Sequence, residues 1–231
     1  MEELIHMTAA YSNALLVAIL PHISDVSRKL ELPIVKPVTV EHVLRFRPHP
    51  YKGHKSGPVV LKNNYWFAFD EGGYVCGFTS PTNWFSADEL AVEHTEYYVG
   101  TNTMSSNDIV KLARNTFERL GYPSGLTGTD KEPSVQLPPT LNDGRTVTYA
   151  RVEWPRNRDS ESPPETAGVD VNTQTRTIVG FYLVLPKTNS LTKPLKLDVE
   201  PETHAEFMRR NQTKLFTRTN APPRLPPRTH K

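Results

Sequence analysis

The chain has 231 residues, 37% of them apolar, with 21 prolines, a mean hydropathy of −0.50 and a formal net charge of +2. A net charge that small gives no reason to expect nucleic acid or a membrane surface as partner, and most of the excess basicity lies in the C-terminal tail. The single cysteine, Cys76, excludes an intrachain disulfide, and the longest apolar run, residues 14–20, is far short of the roughly 20 residues that span a bilayer.

Residues 4–30 are predicted to form a first helix. Leu16, Ile19, Leu20, Ile23, Val26 and Leu30 recur at helical spacing, and Pro21 should kink or break the helix, because proline lacks a donor and crowds the preceding turn. The residues ahead of the apolar run include Glu2 and Glu3 and no Lys or Arg, so they do not read as a signal peptide. Residues 38–47 alternate as a strand with Leu44 and Phe46 inward and Arg45 and Arg47 outward. Residues 48–58 are a loop rich in Pro, Gly, His and Lys. Residues 59–61 and a Lys62-Asn63-Asn64 turn lead into a hairpin, residues 65–70 and 74–78, that ends in Gly77-Phe78. Residues 86–89 read as a capping box, and residues 97–99 as extended chain.

Residues 107–120 give the clearest helix. Ile109, Leu112, Ala113, Thr116, Phe117 and Leu120 form one stripe, Ser105 and Asp108 fit a capping box, and Gly121 followed by Pro123 marks the end. Strands are expected at residues 135–137 and 146–154, with Asn142-Asp143-Gly144 as a turn, then a polar linking loop at 155–167. A second hairpin, residues 169–172 and 176–181, ends in Gly180-Phe181, so a helix followed by a Gly-Phe hairpin occurs twice. A short helix is expected at 202–210, with Phe207 and Met208 as docking residues, and disorder at 221–231.

Two stretches carry a family resemblance: residues 104–122, a capped helix ending in Leu120-Gly121-Tyr122, and residues 149–154 with 169–179, which include Val169-Asp170-Val171-Asn172 and Thr175-Arg176-Thr177-Ile178. Together they resemble a PepSY or thermolysin-propeptide module. The resemblance implies a cystatin-like fold, a helix on a small antiparallel sheet, and a non-catalytic module that binds or regulates peptidases or other proteins. The whole chain is also similar to exported bacterial proteins, which implies a periplasmic or secreted location and carries over no catalytic residue.

No Gly-x-Ser-x-Gly elbow, His-Glu-x-x-His helix or phosphate-cradling loop occurs. Ser124 to Asp130 is Gly-rich but follows a helix, so it reads as a wide turn. His49, His54 and Lys55, with His42 nearby, read as a solvated basic loop whose spacing does not fit a metal site and which could meet an acidic partner or a phosphate. Trp84 and Phe85, beside a turn-rich stretch, are the aromatic pair expected to be exposed for binding. Pro223 to Arg228 fits a polyproline ligand.

The reading is an α+β protein of two helix-plus-antiparallel-sheet units, residues 1–100 and 101–186, followed by a largely disordered tail, 187–231. It would act without catalysis or cofactor and bind a protein or peptide through a sheet edge or face. Its candidate binding residues are Trp84, Phe85, His49, His54 and Lys55, with no nucleic acid partner and no membrane span. One alternative is an enzyme or accessory protein with its site in a cleft between the units. Another is a surface protein attached by its tail.

Overall fold

The computed structural model describes residues 5–6, 8–48, 58–70, 72–82, 99–137, 146–157, 165–183 and 195–219. In chain order these form β1 (Ile5–His6), α1 (Ala9–Lys29), a 3-10 turn (Val40–His42), β2 (Val43–Phe46), β3 (Val59–Leu61), β4 (Trp66–Phe69), β5 (Val75–Thr79) and β6 (Val99–Gly100). There follow α2 (Ser106–Leu120), the single turn α3 (Ser124–Thr127), β7 (Ser134–Gln136), β8 (Thr146–Val147), β9 (Tyr149–Asn157), β10 (Glu165–Asn172), β11 (Thr177–Leu183), β12 (Glu202–Thr203) and α4 (His204–Thr219). The class is α+β.

Eight strands build one antiparallel sheet in the order β2-β3-β4-β5-β11-β10-β9-β7. The two Gly-Phe strands, β5 and β11, are neighbours at its centre. Phe78 faces Phe181, Gly77 faces Tyr182 and Thr79 faces Gly180, so this register is symmetric about the phenylalanine pair. Each hairpin carries a bulge at the same place. On β5 the extra residue is Cys76, on β11 it is Val179, and each immediately precedes Gly-Phe. Both are buried to 4% exposure, so the sole cysteine is a core residue at a bulge.

Directly paired residues share a face of a sheet. A row running from Phe46 through Val59, Phe67, Phe78, Phe181, Val169 and Val152 to Val135 therefore crosses all eight strands. α1 buries Leu15, Leu16, Ile19, Leu20, Ile23 and Val26, and α2 buries Ile109, Ala113, Phe117 and Leu120, in the cluster that contains this row from Phe46 to Val152. Phe117 stands edge-on to both Trp154 and Phe181, with ring centroids 5.9 Å from each. Tyr122, just beyond α2, donates its hydroxyl to the Val75 carbonyl of β5, and burial raises its pKa far above the usual tyrosine value. Lys29 at the end of α1 donates to the Leu120 carbonyl at 3.2 Å, satisfying a C-terminal carbonyl of α2.

Several expectations need correction. α1 runs unbroken through Pro21, which is exposed, while the apolar stripe on either side keeps its packing. The strand expected from residue 38 starts at Val43. Leu44 is 60% exposed, because the register slips between Val43 and Arg45 and breaks the predicted alternation. The region 155–167 is not simply a linking loop, since β9 and β10 extend into it from both sides and stay paired out to Asn157 and Glu165. The helix expected at 202–210 runs from His204 to Thr219, with Met208 exposed. Leu195 and Leu197 pack against the core, so part of the expected tail is docked.

Candidate functional site

The face opposite the helices is built by the residues that alternate with the core row. Ala68, Gly77, Tyr182, Gly168, Glu153 and Ser134 are successive cross-strand partners, as are Trp66, Thr79, Gly180, Asp170, Arg151 and Gln136. Strand periodicity places a charged cluster here. Arg151 and Glu153 alternate with Ala150, Val152 and Trp154 on β9, and Asp170 lies between Val169 and Val171 on β10.

Arg151 holds Asp170 in a fork, donating from Nε to Oδ1 at 2.7 Å and from Nη2 to Oδ2 at 3.1 Å. Its guanidinium lies 5.4 Å from the centroid of the Tyr182 ring. Tyr182 in turn donates its hydroxyl to Glu153. The ring reaches Glu153 by lying across β10 at Gly168, where a Cβ would sit 2.3 Å from Tyr182 Cζ. Burial raises the pKa of Tyr182, and the hydrogen bond to Glu153 raises it further, so the phenol keeps its proton throughout the neutral range. Asp170 is almost wholly buried, whereas Arg151, Glu153, Tyr182 and Trp66 are half-buried.

This arrangement ties its charges to one another. The arginine fork is engaged by a carboxylate, and the phenol proton is held by another. It makes a rigid polar and aromatic floor, with the Trp66 indole at one side and the Arg151–Tyr182 stack at the other. Among the described residues, no group of three or more His, Cys, Asp or Glu side chains is placed to hold a metal ion.

The two ends of the sheet differ. β2 carries the register slip and the exposed Arg45, followed by exposed Arg47. β7 is neutral: Ser134 and Gln136 are exposed, Val135 is half-buried, and Leu137 beyond it is 50% exposed. Among the described strands, β7 pairs with β9 alone.

His49, His54, Lys55, Trp84 and Phe85, singled out from sequence, lie outside the described residues, as do the capping box at 86–89 and the polyproline stretch. His42 is described. Its Nδ1 accepts from the Thr39 backbone N–H at 3.0 Å, so it caps the 3-10 turn. The Gly-rich stretch after α2 contains α3 and ends with Gly128 in the left-handed conformation, as a turn should. Sequence reasoning missed Arg151, Glu153, Asp170 and Tyr182. The available signal was the placing of charges at every second position in two otherwise apolar strands. No helix among the described residues is long and apolar enough to cross a membrane. Comparison with family models, with curated proteins and with solved structures finds no match.

Proposed function

We propose that the chain is a non-catalytic module that binds a protein or peptide in extended form by adding it as a further strand at β7. The observation that carries this reading is the contrast between the two sheet edges. A slipped register and outward arginines blunt an edge against pairing, and β2 has both. β7 has neither, and it lies at the end of the core row, with Val135 beside Val152. An added strand would extend that row with aliphatic side chains against Val135 and Leu137, and set polar ones beside Ser134 and Gln136.

The PepSY-like resemblance fits the same reading. The paired bulges and the symmetric Phe78–Phe181 register support two copies of one hairpin unit, each with its own helix, joined edge to edge. Joining at the centre leaves β2 and β7 as the outer edges. A binding role needs no converging acid and base, in keeping with the mutual pairing of Arg151 with Asp170 and of Tyr182 with Glu153.

Selection of displayed random peptides on the purified chain tests this. Enriched peptides should alternate aliphatic and polar residues. Val135→Pro, which removes the backbone donor that β7 turns to the open edge while Ser134 and Gln136 bond β9, should lower their affinity at least about tenfold with the fold retained. Selection of peptides that bind Val135→Pro as tightly as the parent chain would overturn the edge reading.

A further inference from the structure

The backbone of β7 has its bonding directions fixed by the strands beside it. The Thr173 N–H donates to the Thr148 carbonyl at 2.6 Å. Bonding direction alternates along an antiparallel ladder, so Val152 bonds toward β10, while Arg151 and Glu153 turn their N–H and C=O groups toward β7. Ser134 and Gln136 pair with Glu153 and Arg151, which leaves the N–H and C=O of Val135 directed away from β9. By the same alternation the carbonyl of Pro133 and both backbone groups of Leu137 turn outward with those of Val135.

The strand is also complementary to itself. Ser134, Val135, Gln136 and Leu137 carry no charge, so a second β7 approaching about a twofold axis meets no like charge on them. Antiparallel pairing centred on Val135 sets it against Val135 of the second copy on the core face, and sets Ser134 against that copy's Gln136 on the polar face, and the reverse. The two Val135 residues then exchange both backbone hydrogen bonds. Each Leu137 N–H meets the Pro133 carbonyl of the other copy, and the half-exposed leucine side chain is set beside that proline. The same operation on β2 would bring the exposed Arg45 and Arg47 toward their own copies, an arrangement that like-charge repulsion disfavours. The chain already holds one junction of this kind, since β5 meets β11 in an antiparallel register centred on Phe78 and Phe181.

We propose, resting on the reading of β7 as an open pairing edge, that its occupant in the absence of any other strand is β7 of a second copy of this chain. The product is a twofold dimer with one continuous sheet. A twofold axis perpendicular to the sheet keeps the helices of both copies on the same side, and the core row continues from Val152 through Val135 into Val135 and Val152 of the second copy. Pairing through so short a strand buries little area, which makes the dimer weak and dependent on concentration. Self-pairing and peptide addition use the same Val135 groups and exclude each other, so an extended peptide converts dimer to monomer.

The test is sedimentation equilibrium of the full chain from about 10 μM to about 1 mM, a range that brackets weak specific association. The parent chain should pass from monomer to dimer as its concentration rises. Ser134→Lys with Gln136→Lys sets like charges opposite one another across the junction. It should raise the dissociation constant at least about fivefold, with an unchanged melting temperature in dilute solution. Ser134→Lys with Gln136→Glu sets opposite charges there and should dimerise at least as tightly as the parent. A parent chain that stays monomeric throughout, or two double variants that dimerise equally well, would overturn the inference. The two readings of β7 fail separately. A monomer that still enriches peptides dependent on Val135 keeps strand addition and loses the dimer, whereas a charge-dependent dimer that enriches no peptide keeps the dimer and loses the peptide.

Discussion

Tyr182 occupies the space that a side chain at position 168 would need. A Cβ on Gly168 would lie 2.3–2.5 Å from two carbons of the tyrosine ring and from its hydroxyl oxygen. Gly168→Ala should therefore push the ring off β10 and destabilise the fold by about 1–3 kcal/mol, measured by chemical denaturation. The double variant Gly168→Ala with Tyr182→Ala should recover part of the loss, since the clash disappears with the ring. Strict additivity of the two changes would sink this account. The Arg151–Asp170 pair behaves differently. Asp170→Ala leaves a half-buried guanidinium facing a buried void where its carboxylate was, and should cost about 2–4 kcal/mol. Replacing both residues with apolar ones should cost less than the single change, because the larger penalty comes from the stranded charge.

The helices show how far local sequence fixes an element. α2 is bounded by Ser105, whose hydroxyl accepts from the Asp108 N–H, and by Gly121, at φ 79°. Ser105→Ala should cost about 1 kcal/mol, and Gly121→Ala a similar amount, because alanine is strained in the left-handed region. The caps also make a pH prediction. The Ser105 side-chain hydrogen bond, then its backbone hydrogen bond, hold Asp108 below the ordinary carboxylate range, and the Thr203 backbone and side-chain bonds do the same for Glu206. A carboxylate with a depressed folded pKa stabilises fully above its unfolded pKa. That contribution is lost as pH falls through the lower folded value. Amide exchange in the first turns of α2 and α4, corrected for intrinsic rates, should therefore speed up as pH drops below about 4. Unchanged protection down to pH 3 would contradict the cap assignment.

At the scale of the whole molecule, one apolar cluster joins both helices to the central sheet. Phe78 and Phe181 meet at its middle, with ring centroids 5.4 Å apart, and Phe117 of α2 packs on Phe181. A core shared in this way cannot melt in halves. Phe181→Ala should lower stability by about 3–5 kcal/mol and shift the far-ultraviolet and tryptophan-fluorescence transitions together. Separate transitions for the two signals would show that the residues around Phe78 and those around Val169 unfold independently. Seven cross-strand pairs carry the row from Phe46 to Val135 without interruption, so the strength of the sheet centre contrasts with its short ends, β2 and β7.

By itself, the sequence determined the elements whose instructions are local. The stripe from Ile109 to Leu120 with its serine and glycine ends, the Val169–Asn172 hairpin, and the mixture of helices with antiparallel strands could all be read from spacing, because caps, turns and apolar periods act within a few residues. At Pro21 it allowed a kink or a break, and the break does not occur, since the helix continues through the proline; it misjudged Leu44, where a register slip cancels the alternation. Only the tertiary structure decided that the two Gly-Phe strands lie side by side, that Arg151, Glu153, Asp170 and Tyr182 share one face, and that β7 ends the sheet. Those facts depend on pairings between residues that are not neighbours in sequence, from 17 positions apart for Val135 and Val152 to 103 for Phe78 and Phe181. Such pairings are set by burial of one common core, and no local pattern in either segment specifies its partner.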